Sequence, residues 1–125
     1  MLNCYFFGTA DSPTEPRNLK AERSFNRETA RPFIRLRWDP PRDNGGADIE
    51  NYIISYLPNG LSWKSATTEE TDETEFNDLK LPSGNIYIAR VRARNKAGTG
   101  PSSNEVEINL GTSCFLLVLL ALNYC

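Results

Sequence analysis

The chain has 125 residues, of which 39% are hydrophobic and 24% are charged, so it is long enough for one globular domain with a single core. Its 14 Lys and Arg residues and 16 Asp and Glu residues give a formal net charge of −2, which provides no bulk attraction to nucleic acid or anionic lipid. The sequence contains no histidine. This excludes Ser-His-Asp and Cys-His catalysis as well as histidine-ligated metal sites.

The two ends of the chain differ in composition from its middle. We expect residues 1–12 to form an N-terminal tail, residues 13–110 a single domain, and residues 111–125 a short apolar C-terminal tail. All three cysteines lie in these tails: Cys4, Cys114 and Cys125. An odd number of cysteines outside the domain does not form a disulfide framework for its core, although Cys4 and Cys114 could pair if the two ends meet. The absence of a Cys-x-x-Cys pair excludes a zinc ribbon.

Between the tails, apolar and polar residues alternate with the period of two that is typical of β-strands. The alternation predicts strands near residues 17–23, 33–38, 50–57, 61–65, 73–79, 86–94 and 104–110, separated by turns rich in Gly, Pro and Asn. No segment outside the apolar tail has a sustained helical period. Short strands separated by such turns predict an all-β fold, a seven-stranded antiparallel sandwich of two sheets.

One row of each predicted strand faces inward and supplies the expected core. The clearest inward rows consist of Ile34, Leu36 and Trp38; Ile49, Tyr52, Ile54 and Tyr56; Tyr87, Ala89, Val91 and Ala93; and Val106, Ile108 and Leu110. The outward row of the 86–94 strand carries three arginines. This pattern is typical of a sheet with one face buried and the other in water.

The C-terminal tail contains nine consecutive apolar residues, Cys114 to Leu122. A membrane-spanning helix needs about 20 residues, so this run does not cross a bilayer by itself. Three interpretations stay open: part of a longer transmembrane helix, a lipid-anchor signal that follows the small residues 111–113, or a chain end without function. Membrane association through this tail is therefore one of our expectations.

Six short segments occur in an order and at a spacing that are similar to those of fibronectin type III domains. They are Pro16–Leu19, Leu36–Pro41, Gly46–Tyr56, Leu81–Tyr87, Arg90–Asn95 and Gly98–Ser103. The chain resembles this family from about Pro13 to Leu110. The resemblance implies an immunoglobulin-like sandwich held together by packing, without an inter-sheet disulfide. It also implies that Tyr87 is a corner tyrosine, with its hydroxyl bonded to upstream backbone and Leu81 packed beneath it.

The resemblance places two loops, residues 39–47 and 95–103, at the same end of the sandwich, and loops are where members of this family usually bind partners. The candidate partner-binding residues are Arg42, Asp43, Asn44, Asn95, Lys96 and Thr99. Neither loop contains Arg-Gly-Asp, and no Trp-Ser-x-Trp-Ser precedes the last strand. Integrin binding and cytokine-receptor function therefore do not carry over from the family.

The arginine row Arg90, Arg92 and Arg94 could bind an anion such as heparin or phosphate. We favour a structural interpretation, because the last strand would pair with this strand and direct Glu105 and Glu107 to the same face. Stacking of Trp63 between the arginines is also possible.

The same structural interpretation applies to a second charged row, in which Arg35 and Arg37 would face Glu73 and Glu75. Residues 17–37 carry seven basic residues against two acidic ones, and residues 69–78 carry six acidic residues and no basic ones. Opposite poles for docking neighbouring domains are one interpretation of these blocks, and solvated faces are the one we favour.

The resemblance implies a non-enzymatic protein-interaction or spacer module, for which we expect no catalytic residues, cofactor, metal or nucleic acid. Acidic pairs such as Glu69 and Glu70 lie on predicted exposed segments without apolar surroundings, so we do not expect them to act in acid–base catalysis. Our first interpretation is a fragment of a multidomain cell-adhesion or receptor protein, extracellular or membrane-associated. The alternative is a module of a cytoplasmic cytoskeletal or sarcomeric scaffold, which the absence of an Asn-x-Ser/Thr sequon favours. A module that only spaces its neighbours is a third possibility.

Overall fold

The computed structural model describes residues 9–28, 31–79, 81 and 84–110. The three cysteines, the apolar run from Cys114 to Leu122 and most of the N-terminal tail lie outside these residues, so the expectations about them stay predictions. Within the described ranges, no helix is both long enough and apolar enough to span a membrane.

The described residues form eight strands and one short 3₁₀ helix. The strands are β1 (Arg17–Asn26), β2 (Arg31–Asp39), β3 (Asn51–Pro58), β4 (Thr67–Thr71), β5 (Glu75–Leu79), β6 (Ile86–Asn95), β7 (Gly98–Ser102) and β8 (Val106–Asn109), and the 3₁₀ helix is Trp63–Ser65. One sheet has the order β1-β2-β5, and the other has the order β4-β3-β6, with β7 and β8 paired along the far edge of β6. Every pairing is antiparallel. The predicted two-sheet sandwich is confirmed.

The predicted strand at residues 61–65 is wrong. The chain forms a 3₁₀ helix there, because Ser62 caps it by accepting a hydrogen bond from the Lys64 amide at 3.2 Å. The strand that pairs with β3 follows at β4. A further strand, β7, forms within the predicted loop 95–103 and pairs with the end of β6.

The core lies between the sheets and is built from the inward rows. Trp38 and Tyr52 are each 4% exposed, and their rings meet edge to face with centroids 5.5 Å apart. Ile54, Val91 and Tyr87 are also buried, and Leu81 packs against the cluster while partly exposed. The other buried members include Leu19, Ile34, Leu36, Tyr56, Leu79, Ala89, Ala93 and Ile108.

The corner tyrosine is partly described. Tyr87 is buried, and its hydroxyl accepts a long hydrogen bond of 3.5 Å from the Asn85 side chain. The bond from this hydroxyl to upstream backbone stays a prediction.

The charged rows are only partly those predicted. Arg37 lies 3.9 Å from Glu75 as predicted, and also 3.9 Å from Glu22 of β1. Arg35, however, donates from Nε to the Asn77 side chain at 3.1 Å. Glu73 lies in the turn before β5, so it does not face Arg35.

The core tyrosines make stability sensitive to alkaline pH. Burial raises the pKa of Tyr52, and burial followed by the negative charge of Glu69 raises the pKa of Tyr56, both from an ordinary value of 10.0. The folded chain therefore keeps these protons at pH values where the unfolded chain loses them. We expect the free energy of unfolding to be unaffected by these groups below pH 10 and to fall as the pH rises through their folded pKa values. Urea melts between pH 8 and 11 measure this, and Tyr56→Phe should make the decline shallower; an unchanged decline would contradict the assignment.

Candidate interaction site at the loop end of the sandwich

The two predicted loops meet at one end of the sandwich, as the resemblance implies. The connection from β2 to β3 and the turn between β6 and β7 lie together there, because Asn95 at the end of β6 contacts Asn44. The inward row of β6 continues through Asn95, which is 2% exposed. Asn95 is thus a buried polar residue, and such residues need hydrogen-bond partners.

The Asn95 side chain connects three segments. Its Nδ2 donates to the backbone oxygens of Asp11 at 2.6 Å and Asn44 at 2.7 Å. Its Oδ1 accepts from the amides of Ala97 at 2.8 Å and Gly98 at 3.2 Å, which closes the turn into β7. The amide therefore holds the loops in place, and its polar atoms are used inside the domain.

The segment Thr9–Thr14, which we name the strap, runs across this end. The amide of Asp11 donates to the Gly45 oxygen at 2.9 Å, and the amide of Thr14 donates to the Asp43 oxygen at 2.9 Å. The Asp43 amide in turn donates to the Thr14 hydroxyl at 3.1 Å. Pro13 within the strap is fully buried. Residues 11 and 12, which belong to the predicted N-terminal tail, therefore lie against the loop end.

Two glycines allow the strap to approach. A Cβ on Gly45 would lie 2.0 Å from the Asp11 oxygen, and a Cβ on Gly100 would lie 1.9 Å from the Pro13 oxygen. Contacts this short are impossible for any residue with a side chain. The Asp-Asn-Gly-Gly turn was identifiable from sequence, but the segment that packs on it was not.

The remaining candidate residues are on the surface. Arg42, Asp43, Asn44, Lys96 and Thr99 are exposed. The Asp43 and Asn44 side chains accept from the amides of Gly45 and Gly46, both at 2.8 Å, which shapes the loop. The surface offered to a partner therefore comprises the two cations of Arg42 and Lys96, the Thr99 hydroxyl and the carboxylate of Asp43. Among the residues that the structure describes, no three His, Cys, Asp or Glu side chains gather as a metal site would require.

Gly45→Ala should release the strap. Its φ of +79° resembles the +97° of Gly60, where a Cβ meets nothing within 4 Å. Gly60→Ala therefore measures the backbone cost alone, about 1 kcal/mol. We expect Gly45→Ala to cost about 2 kcal/mol more, because the clash removes the bonds between strap and loop. Urea denaturation of both variants tests this, and equal losses would contradict the close approach.

The chain enters and leaves the domain at opposite ends. The strap is bonded to Asn95 at the end of β6, and Leu110 donates to the Asn85 oxygen at 2.9 Å, just before β6 begins. The strand β6 has 10 residues. At a rise of about 3.3 Å per residue, its two ends, and with them the strap and Leu110, are separated by about 30 Å.

Three comparisons bear on this architecture. The family model described as "Fibronectin type III domain" matches residues 14–109. Human cardiac-type myosin-binding protein C is 34% identical over 96 residues, which are 76% of this chain and 7% of that protein. The titin homolog of Caenorhabditis elegans is 36% identical over 77 residues, 60% of this chain and a share of that protein that rounds to 0%. A crystal structure of consecutive titin domains superposes with a TM-score of 0.67 at 26% identity, covering 81% of this chain and 33% of that one. The chain thus spans a small fraction of the length of these relatives.

Proposed function

The chain belongs to the fibronectin type III family, and from this premise we propose that it is a non-enzymatic spacer and protein-binding module of a cytoskeletal scaffold of the sarcomeric type. The observation that carries the proposal is the position of its two ends. The strap enters beside Asn95, and the chain leaves beside Asn85 at the other end of β6. A domain with this geometry adds its own length to a chain of domains.

The relatives favour a scaffold over an adhesion receptor. One relative is a cardiac-type myosin-binding protein and another is a titin homolog, and the structural match at 26% identity is a titin chain. The apolar run of the C-terminal tail, which favoured the adhesion interpretation, lies outside the described residues. We therefore propose cytoplasmic localisation and other proteins or neighbouring domains as partners.

The exposed loop residues are the proposed contact within this function. Arg42 in the β2–β3 connection and Lys96 in the β6–β7 turn each place a positive charge on the surface, and Thr99 of β7 adds a hydroxyl. Asn95 lies beneath them, and its four hydrogen bonds keep the two loops in a fixed relation. A preformed surface loses little conformational entropy on binding, so a modest area of contact is enough for specific recognition.

The test is to express the complete 125-residue chain with an epitope tag in cultured striated muscle cells. We expect a periodic striated distribution and no labelling by a membrane-impermeant biotin reagent. Surface labelling would contradict the scaffold proposal and support the adhesion interpretation instead. Diffuse cytoplasmic staining would contradict a binding role and leave only the spacer role.

A triple variant provides the matched control. Arg42→Ala, Lys96→Ala and Thr99→Ala together remove the proposed contact atoms without touching the hydrogen bonds of Asn95. We expect the melting temperature to stay unchanged and the striated staining to become diffuse. Striated staining that survives in this variant would place the contact on another surface.

A further inference from the structure

The outer face of the five-stranded sheet carries the arginine row of β6. Arg90, Arg92 and Arg94 project from alternate positions of this strand, on the side away from the core. Their neighbours in register on β3 are Ser55, Ile53 and Asn51, in that order. Ile53 is only 8% exposed although it faces outward, so the long side chains beside it cover the sheet.

Two of the three arginines are compensated within the domain. The Arg90 guanidinium lies over the Trp63 ring, 3.9 Å from its centroid, and 4.0 Å from the Glu105 carboxylate. Arg94 donates to Glu70 at 2.9 Å, and Glu70 also accepts from the Asn51 side chain. The sequence predicted that Glu105 and Glu107 would pair with the arginine row. In the structure, Glu105 does so, and the second acid is Glu70 of β4.

Arg92 is the member of the row that has no carboxylate partner among the described residues. The last predicted acid, Glu107, pairs in register with Ile88, and the residue opposite Arg92 on β7 is Ser102. Among the described residues, Arg92 makes no ion pair within 4.0 Å. Its Nε, like that of Arg90, is shielded from solvent and has no acceptor in that part of the chain, so the inner end of the guanidinium lies against the sheet.

We propose that Arg92 anchors a segment of a partner protein by binding a single carboxylate, from an Asp or Glu that has no second acid beside it. The partner's chemistry follows from the charges on both sides. Arg90 and Arg94 each have a carboxylate within 4.0 Å, from Glu105 and Glu70, whereas Arg92 between them has none in the described part of the chain. A monovalent carboxylate matches the charge and the planar fork of the Arg92 guanidinium.

A phosphate group fits this surface less well. It carries close to two negative charges at neutral pH, whereas one uncompensated cation lies between two glutamates that would repel the excess. Heparin and anionic membranes need several free cations in a row, and the ion pairs of Arg90 and Arg94 remove two of the three.

The experiment uses the full chain and, as the probe, the blocked peptide Gly-Ser-Gly-Glu-Gly-Ser-Gly, which offers one carboxylate and no other charge. The shielded Arg92 Nε–H should exchange slowly enough to give a separate NMR signal, which Arg92→Gln identifies by its loss. We expect this signal to shift saturably with peptide, and Arg92→Gln to weaken binding about tenfold. Arg92→Lys should recover part of the affinity, since it keeps the charge without the fork.

Arg35→Gln is the matched control, because Arg35 lies on the outer face of the other sheet and bonds Asn77. We expect its affinity for the single-glutamate peptide to equal that of the unchanged chain. An Arg92 signal that does not move, equal losses in the two variants, or no binding at the highest soluble peptide concentration would each overturn the proposal. Tighter binding of the same peptide with phosphoserine in place of the glutamate would overturn the choice of carboxylate.

The inference does not depend on the loop-end contact of the proposed function. Arg92 belongs to the sheet face, whereas Arg42, Lys96 and Thr99 belong to the loops. The triple loop variant should therefore bind the single-glutamate peptide with unchanged affinity, and failure of one proposal is distinguishable from failure of the other.

Discussion

Trp38→Ala should lower the free energy of unfolding by about 3–5 kcal/mol, the range for large-to-small changes in a packed core. Trp38 is 4% exposed and lies between the sheets, where its ring meets the edge of Tyr52. Its removal leaves a cavity that strands of both sheets border, and it removes the aromatic contact as well. Since a domain of this kind has about 5–15 kcal/mol in total, the variant is expected to be partly unfolded at 37 °C.

The chain provides its own control, because it contains two tryptophans. Trp63 lies on the outer face against Arg90, and Trp63→Ala should cost only about 1 kcal/mol. Urea denaturation followed by circular dichroism measures both variants without depending on tryptophan fluorescence. A loss below 1 kcal/mol for Trp38→Ala, or equal losses for the two variants, would refute the inward position of Trp38.

The inward position of Trp38 was predictable because strands of a sandwich have one dry face. Alternation over Ile34, Leu36 and Trp38 determines which side chains point inward, and the structure places all three in the core. The same rule extends through β6 to Asn95, although we predicted that residue to bind a partner. The alternation that buries Tyr87 and Val91 also buries Asn95, so the signal was present in the sequence.

The sequence did not predict β4, and the reason is physical. Its residues Thr-Thr-Glu-Glu-Thr contain no apolar row, because β4 lies at the edge of its sheet and none of its residues is fully buried. The apolar Leu61 and Trp63 favoured the preceding segment instead. Leu61 is 56% exposed, so this apolar residue does not belong to the inward face of a strand.

The pairing of charged residues depended on register, which alternation does not determine. Arg94 pairs with Glu70 because β3 lies between β6 and β4 and brings both side chains to one face. A shift of register between Ile34 and Leu36 changes which β5 residues face β2. Such irregularities are set by tertiary packing, so the predicted partners of Arg35 and Arg92 were not found.

Asn95→Ala should cost about 3 kcal/mol or more, although it removes only a small polar group. The Asp11 and Asn44 oxygens and the Ala97 and Gly98 amides each lose a hydrogen bond. Asn95 is 2% exposed, so water does not replace the side chain without rearrangement, and buried groups left unpaired cost about 1–3 kcal/mol each. The strap and both loops should loosen together.

Asn44→Ala is the control on the same loop end. Within the described ranges, the Asn44 side chain bonds the Gly46 amide alone, whereas its backbone oxygen, which accepts from Asn95, is kept in the variant. We expect a loss below about 1 kcal/mol. Chemical denaturation gives both free energies, and amide hydrogen exchange at residues 11 and 97 shows whether the strap and turn open. Equal losses for the two asparagines would mean that the hydrogen bonds of Asn95 do not connect these segments.

Asn95→Asp separates hydrogen bonding from packing, because the two side chains have nearly the same shape. A carboxylate still accepts from Ala97 and Gly98, but it faces the Asp11 and Asn44 oxygens, which lie 2.6 and 2.7 Å from the present Nδ2. Repulsion and burial should raise the pKa of this carboxyl above its usual value of about 3.9. The variant should therefore recover stability relative to the unchanged chain as the pH falls through that raised pKa, since a protonated carboxyl can donate one of the lost bonds. A difference in stability that is constant from pH 7 to pH 4 would show that the side chain acts through its shape alone, and that the strap is held by the glycine contacts rather than by Asn95.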